Sequence, residues 1–142
     1  MAKFSLLYQI ARSEGIVNDF ATIRPGEVDR TTLEYIHARE YISRFFDGTL
    51  STHEIRRMGL PWSQGLVTRT RTAVAGTIAT ARAALRYGIA SNCAGGTHHA
   101  FPDFGSGFCI FNDLAVASKV LVENNEAKRI LIIDLDVHQG DA

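Results

Sequence analysis

Apolar residues recur at helical spacing along most of the chain and close up into an unbroken run only near its end. Between Met1 and Glu14, residues Phe4, Leu6, Leu7, Ile10 and Ala11 share one side of a helix, and Gly15 stands where a C-terminal cap belongs. Polar residues with Pro25 and Gly26 make 18–30 a surface connection. Thr31 or Thr32 can cap a second helix with Leu33, Ile36, Tyr41, Ile42 and Phe45 as its apolar side and Gly48 as its end. A short helix is expected over 52–58, broken before Pro61. From Ser63, the positions Leu66, Val67, Thr70, Val74, Ile78, Ala81 and Leu85 describe a long helix that Gly88 closes. Asn112 or Asp113 starts the last helix, through Leu114, Val116, Ala117, Val120 and Leu121.

Two segments read as strands. One is the short stretch 89–92, and the other is Arg129-Ile130-Leu131-Ile132-Ile133, whose β-branched apolar run fits a strand buried on both faces of a parallel sheet. Alternating helices and strands predict an α/β fold with a parallel sheet, in which ligands collect beyond the carboxyl ends of the strands. At 142 residues, with no repeat or interdomain linker, the chain reads as a single domain over 1–142.

The residues after the apolar run are Asp134-Leu135-Asp136-Val137-His138-Gln139-Gly140-Asp141-Ala142. On an extended segment Asp134, Asp136 and His138 point to one side, and a carboxylate near a buried strand is costly unless something pairs with it. A divalent cation would relieve the repulsion, since carboxylate oxygen and imidazole nitrogen are both zinc ligand types. The plainer alternative is a strand end with solvated acids. A second cluster follows 89–92, where Gly95-Gly96 delivers the adjacent His98 and His99 to the mouth of a strand. A histidine held by a carboxylate is a base tuned for proton transfer near neutral pH, so the two clusters together suggest more than either alone.

Composition narrows the partners. Hydrophobic residues make up 46% of the chain, charged residues 21%, and the formal net charge is zero, so no basic field for direct nucleic-acid binding exists. Arg69, Arg71, Arg82 and Arg86 read as a solvated helix face. Cys93 and Cys109 without a secretory leader point to a reducing, cytoplasmic setting, and Cys109 reads as a small packed residue. No window approaches the roughly 18 apolar residues of a membrane helix. His37 and His53 lack acidic neighbours at ligand spacing and read as structural or solvated, while Trp62 fits either a pocket rim or the core.

Three segments in order carry a resemblance: Gly95-Gly96-Thr97-His98-His99-Ala100, Gly105-Ser106-Gly107-Phe108-Cys109-Ile110-Phe111-Asn112-Asp113, and Asp134-Leu135-Asp136-Val137-His138-Gln139-Gly140-Asp141. Together they resemble consecutive signatures of the zinc-dependent histone deacetylase superfamily, which includes acetoin-utilisation proteins and acetylpolyamine amidohydrolases. The resemblance implies an arginase/deacetylase-like three-layer fold, incomplete in this chain, that hydrolyses acetyl-lysine or a small acetylated amine. It implies that Asp136 and His138 are zinc ligands and that His99, with Asp141 as its partner, is the general base toward the attacking water. His98 would pair with Asp134, a position that in the family also binds a monovalent cation such as K+. Gly107 and Phe108 match positions lining the channel for the acyl-lysine stem.

The family pattern also calls for an opening strand, a third zinc ligand and a carbonyl-polarising tyrosine, none matched here. The expectation is an N-terminal part of a longer domain, weakly active or inactive alone, with an exposed apolar edge from Arg129 onward. Two other readings stand beside it: a binding or assembly module keeping the scaffold without the chemistry, and an arginase-like two-metal hydrolase, which Gln139-Gly140 fits less well. Gln139, where a second histidine could stand, suggests a bacterial-type or short divergent branch.

Overall fold

In the computed structural model, residues 2–142 are described and six α-helices follow one another: α1 (Ala2–Ser13), α2 (Arg30–Leu33), α3 (Arg39–Asp47), α4 (Thr52–Met58), α5 (Gln64–Tyr87) and α6 (Asp113–Glu123). Local signals set most of their ends. Ser51 and Glu54 form a reciprocal capping box at α4, with the Ser51 N–H donating to the Glu54 carboxylate at 2.8 Å. Ser63 accepts from Leu66 N–H at 3.1 Å to start α5, and Asn112 accepts from Ala115 N–H at 3.0 Å to start α6. Gly48 and Gly59 take φ of 70° and 78° at the ends of α3 and α4, a left-handed turn that a Cβ disfavours.

Two expectations are corrected. The single helix from Thr31 or Thr32 to Gly48 is broken in two, with Asp29, not a threonine, capping α2 through Thr32 N–H at 2.8 Å. The break comes where the chain satisfies its polar groups outside the helix: Ala38 N–H donates to the Pro102 carbonyl at 2.8 Å, and His37 turns inward. The second correction concerns the sheet. Among the described residues no strand forms, and Ser106 and Cys109 make an isolated antiparallel bridge. A strand exists only where a neighbour takes its backbone N–H and C=O groups, and 89–92 and 129–133 do not pair with each other. The apolar side chains of that last run therefore face solvent, with Leu131 82% and Ile133 71% exposed.

The core lies between α3, α5, α6 and the segment leading into α6. Tyr41, Ile42 and Phe45 from α3 meet Val67, Val74 and Ile78 from α5, and Val116 and Val120 from α6 close over Ile110 and Phe111. The Phe111 ring is the hub, with the rings of His37, Tyr41, Phe45 and Phe46 at 5.0–6.3 Å between centroids in tilted or edge-on contact. Trp62 belongs to this core's margin: its indole N–H donates to the Phe45 carbonyl at 2.6 Å and its ring seats against Gly48. No helix among the described residues is long and apolar enough to cross a membrane.

His37 ties three segments together in one protonation state. Its Nε2 accepts from Asn112 N–H at 2.9 Å, so Nδ1 carries the proton and donates to the Phe101 carbonyl at 3.0 Å. Burial lowers its pKa below the ordinary value of 6.5, because the imidazolium would lose its water. The folded chain thus takes up this proton less readily than the unfolded chain. The stabilisation is fully present above about pH 6.5 and is lost as pH falls below it toward the folded pKa. In urea titrations at pH 7.5 and 5.5, His37→Gln is expected to lose stability at the higher pH and to show a smaller acid-induced decline than the unsubstituted chain.

Candidate functional site

The two sequence clusters meet in space. His98 Nδ1 lies 2.6 Å from Asp134 Oδ2 and His99 Nδ1 lies 2.7 Å from Asp141 Oδ1, pairs separated by 36 and 42 residues in the chain. The histidines are half-buried and their carboxylate partners exposed. Each carboxylate holds the proton of its imidazole on Nδ1 and leaves Nε2 available to a ligand. The rings of His98 and His99 lie 4.1 Å apart, and that of His138 is 6.4 Å from His99.

Asp136 and His138 face each other. Their Oδ1 and Nδ1 atoms are 3.0 Å apart, and the same carboxylate oxygen accepts from His138 N–H at 2.7 Å. Two zinc ligands at about 2.0–2.2 Å in a tetrahedral shell stand roughly 3.3 Å apart, so this donor pair fits one edge of such a shell. The carboxylates are in the right protonation state. The hydrogen bond from His98 holds the Asp134 carboxyl below the usual range, and that from His138 N–H does the same for Asp136. Among the described residues no group of three His, Cys, Asp or Glu side chains converges as a metal site.

Gly107 and Phe108 occupy the turn before α6. Phe108 takes a positive φ of 65°, its N–H donates to the Met58 carbonyl at 3.0 Å, its ring lies against Gly59, and the residue is 64% exposed. With Gly96, Thr97 and Asp136 it lines a cavity of about 550 Å³. Gly107 does not line that cavity; it backs His99. At φ 53° a Cβ there would lie 2.9 Å from His99 Cδ2. Gly107→Ala is therefore expected to cost about 1–3 kcal/mol in urea unfolding, from left-handed strain and the displaced imidazole. Burial pushes the Cys109 thiol pKa up, which keeps it protonated and unreactive.

A model of the histone deacetylase domain matches residues 1–142. The chain belongs to the histone deacetylase family. An uncharacterized protein of Picosynechococcus sp. is 52% identical over 141 residues, covering 99% of this chain and 47% of that protein. Histone deacetylase 2 of Arabidopsis thaliana is 27% identical over 99% of this chain and 38% of its own length, and the acetoin utilization protein AcuC of Staphylococcus aureus is 27% identical over 98% and 38%. The chain thus spans less than half the length of these relatives. A deacetylase homologue from Aquifex aeolicus superposes with a TM-score of 0.72 at 24% identity, over 84% of this chain and 35% of that one. The HDA15 HD domain gives 0.75 at 20%, over 98% and 40%. These two neighbours give the deacetylase fold to the helical scaffold described above.

Asp113, the last residue of the segment 105–113 and a candidate first residue of the last helix, is buried to 1% exposure beside the histidine loop. Asn112 alone makes the cap. An acid placed directly after a sufficient cap, inside an otherwise apolar segment, was the available signal. His37, read as structural or solvated, is the buried link between Phe101 and Asn112.

Proposed function

We propose that this chain carries part of a zinc-dependent amidohydrolase site that removes acetyl groups from lysine or from small acetylated amines. The observation that carries the reading is the pair of imidazole–carboxylate contacts, His98 to Asp134 and His99 to Asp141, beside the Asp136–His138 donor pair. Asp136 and His138 would hold the zinc, which when bound polarises the acetyl carbonyl and acidifies a water. His99, its Nδ1 held by Asp141, takes the proton of the attacking water on Nε2 and passes it to the leaving amine. His98, held by Asp134, supports the developing charge beside it. Asp134 is also the candidate for a monovalent cation such as K+. Phe108 forms an apolar wall for the four-carbon lysine stem.

In this reading residues 1–142 form one domain, the N-terminal part of an arginase/deacetylase-like three-layer domain working in the cytoplasm. The run 129–133 pairs into a parallel sheet where neighbouring strands exist. Catalytic zinc sites use three protein ligands, and the described residues bring two together, so the 142-residue chain binds zinc weakly and turns over slowly at best. The ligand count also favours a second reading, a scaffold without chemistry.

Zinc titration together with hydrolysis of an acetyl-lysine peptide, with and without chelator, separates the two. Slow, chelator-sensitive hydrolysis with zinc bound at one site is expected. Absence of both in a folded chain would replace the enzyme reading with the scaffold, and rapid turnover would overturn the account of weak activity.

A further inference from the structure

Asp113 is a buried carboxylate whose hydrogen bonds run almost entirely to the loop that carries the tandem histidines. Its Oδ1 accepts from Thr97 N–H at 2.8 Å and lies 2.5 Å from the Thr97 hydroxyl; its Oδ2 accepts from Gly96 N–H at 3.1 Å and from the Thr77 hydroxyl of α5 at 2.5 Å. The Asp113 N–H returns a bond to Thr97 Oγ1 at 3.1 Å, and that hydroxyl also reaches the Phe111 carbonyl at 2.5 Å. Among the described residues no Lys, Arg or His pairs with Asp113, so N–H and O–H donors and the N-terminus of α6 stabilise it.

Loop conformation and carboxylate are matched to each other. Gly95 and Gly96 take φ of 102° and 74°, and a Cβ at Gly95 would run into the Asp113 carboxylate and lie 2.8 Å from Thr77 Oγ1. The two left-handed residues turn consecutive N–H groups, Gly96 and Thr97, toward one acceptor, and His98 and His99 follow immediately. Those histidines must meet Asp134 and Asp141 on a distant segment at 2.6–2.7 Å. A loop shift of about 1 Å would break both contacts, and misplacement of that size costs on the order of a hundredfold in rate.

We infer that Asp113 is a positioning residue: through Gly96, Thr97 and Thr77 it fixes the orientation of His98 and His99 toward their carboxylates. The inference rests on the deacetylase reading for its consequence in catalysis and on geometry alone for the positioning. In Asp113→Asn one oxygen becomes an NH₂ group; facing Gly96 or Thr97, it sets donor against backbone donor. Thr97→Val removes the hydroxyl link at nearly the same volume, and Thr97→Ser keeps it.

The test uses the 142-residue chain, with NMR of the hydrogen-bonded imidazole Nδ1–H protons of His98 and His99 and hydrogen exchange of the Gly96 and Thr97 amides. In Asp113→Asn and Thr97→Val both imidazole resonances are expected to move or disappear. Amide exchange should rise roughly tenfold or more, the factor carried by a lost hydrogen bond to a charged group. Helix content by circular dichroism should stay unchanged, and Thr97→Ser should leave the resonances as in the unsubstituted chain. Should Asp113→Asn fail to fold, the two Thr97 variants decide. Imidazole resonances unmoved in a folded Asp113→Asn or in Thr97→Val would overturn the inference. Failure of the deacetylase reading shows up separately, as absent zinc-dependent hydrolysis with the resonances behaving as described.

Discussion

His99→Ala is expected to remove the chelator-sensitive hydrolysis of an acetyl-lysine peptide, a loss of about 10²–10⁴-fold in kcat, while zinc affinity stays within about threefold. The factor is the usual contribution of a positioned general base. The split follows from geometry: Asp136 and His138 offer the facing Oδ1 and Nδ1 atoms, whereas His99 turns its Nδ1 to Asp141. His138→Ala or Asp136→Ala should therefore lose zinc and hydrolysis together, each lowering affinity by at least the 10–100-fold that even an outer-shell partner costs. Asp141→Asn occupies the intermediate position. It keeps the volume and metal pair but weakens the hold on Nδ1–H, so kcat should fall with little change in zinc titration. The check is a zinc titration run beside steady-state kinetics on the same preparations. Retention of hydrolysis by His99→Ala would remove this histidine from the base role and leave His98 as the alternative.

The contrast between what the sequence disclosed and what it concealed follows contact range. The ends of α4, α5 and α6 are set by a side chain three residues from the N–H it accepts, at Ser51, Ser63 and Asn112, and such bonds can be read from the chain alone. The break between α2 and α3 could not, because it depends on Pro102, Phe101 and Asn112, more than sixty residues away. The segments at 89–92 and 129–133 have strand composition but no regular structure, since composition expresses a preference and pairing requires a neighbour. In the site, Asp134, Asp136 and His138 were legible as an acid-rich end to an apolar run. Their partners His98 and His99 were legible as a glycine-delivered tandem, but the pairing itself came only through resemblance. Asp113 was legible as the end of the segment 105–113 and as a helix start, but its bonds to Gly96, Thr97 and Thr77 were not, because an acid at the start of a helix already has an ordinary explanation.

Phe111→Ala is expected to destabilise the chain by about 3–5 kcal/mol, the range for truncating a buried phenylalanine, and to lower Tm by roughly 10 °C or more. Phe111 is 1% exposed, and its ring is surrounded by His37, Tyr41, Phe45 and Phe46, so no single neighbour can move in to fill the space without leaving another edge-on contact. Phe20, fully exposed, is the control: Phe20→Ala should change stability by less than about 0.5 kcal/mol. The cost reaches beyond the core because the Thr97 hydroxyl lies 2.5 Å from the Phe111 carbonyl, and Asn112 and Asp113 follow directly in the chain. A cavity beneath this residue lets the start of α6 settle inward. The cap, the buried carboxylate and the histidine loop should then loosen together. Urea unfolding followed at once by circular dichroism and by the exchange of the Thr97 amide separates the two effects. A stability loss below about 1 kcal/mol would show that the ring cluster is not what holds α3 and α6 together. A full loss with unchanged Thr97 exchange would show that the histidine loop is carried by α5 and Thr77 independently of the core.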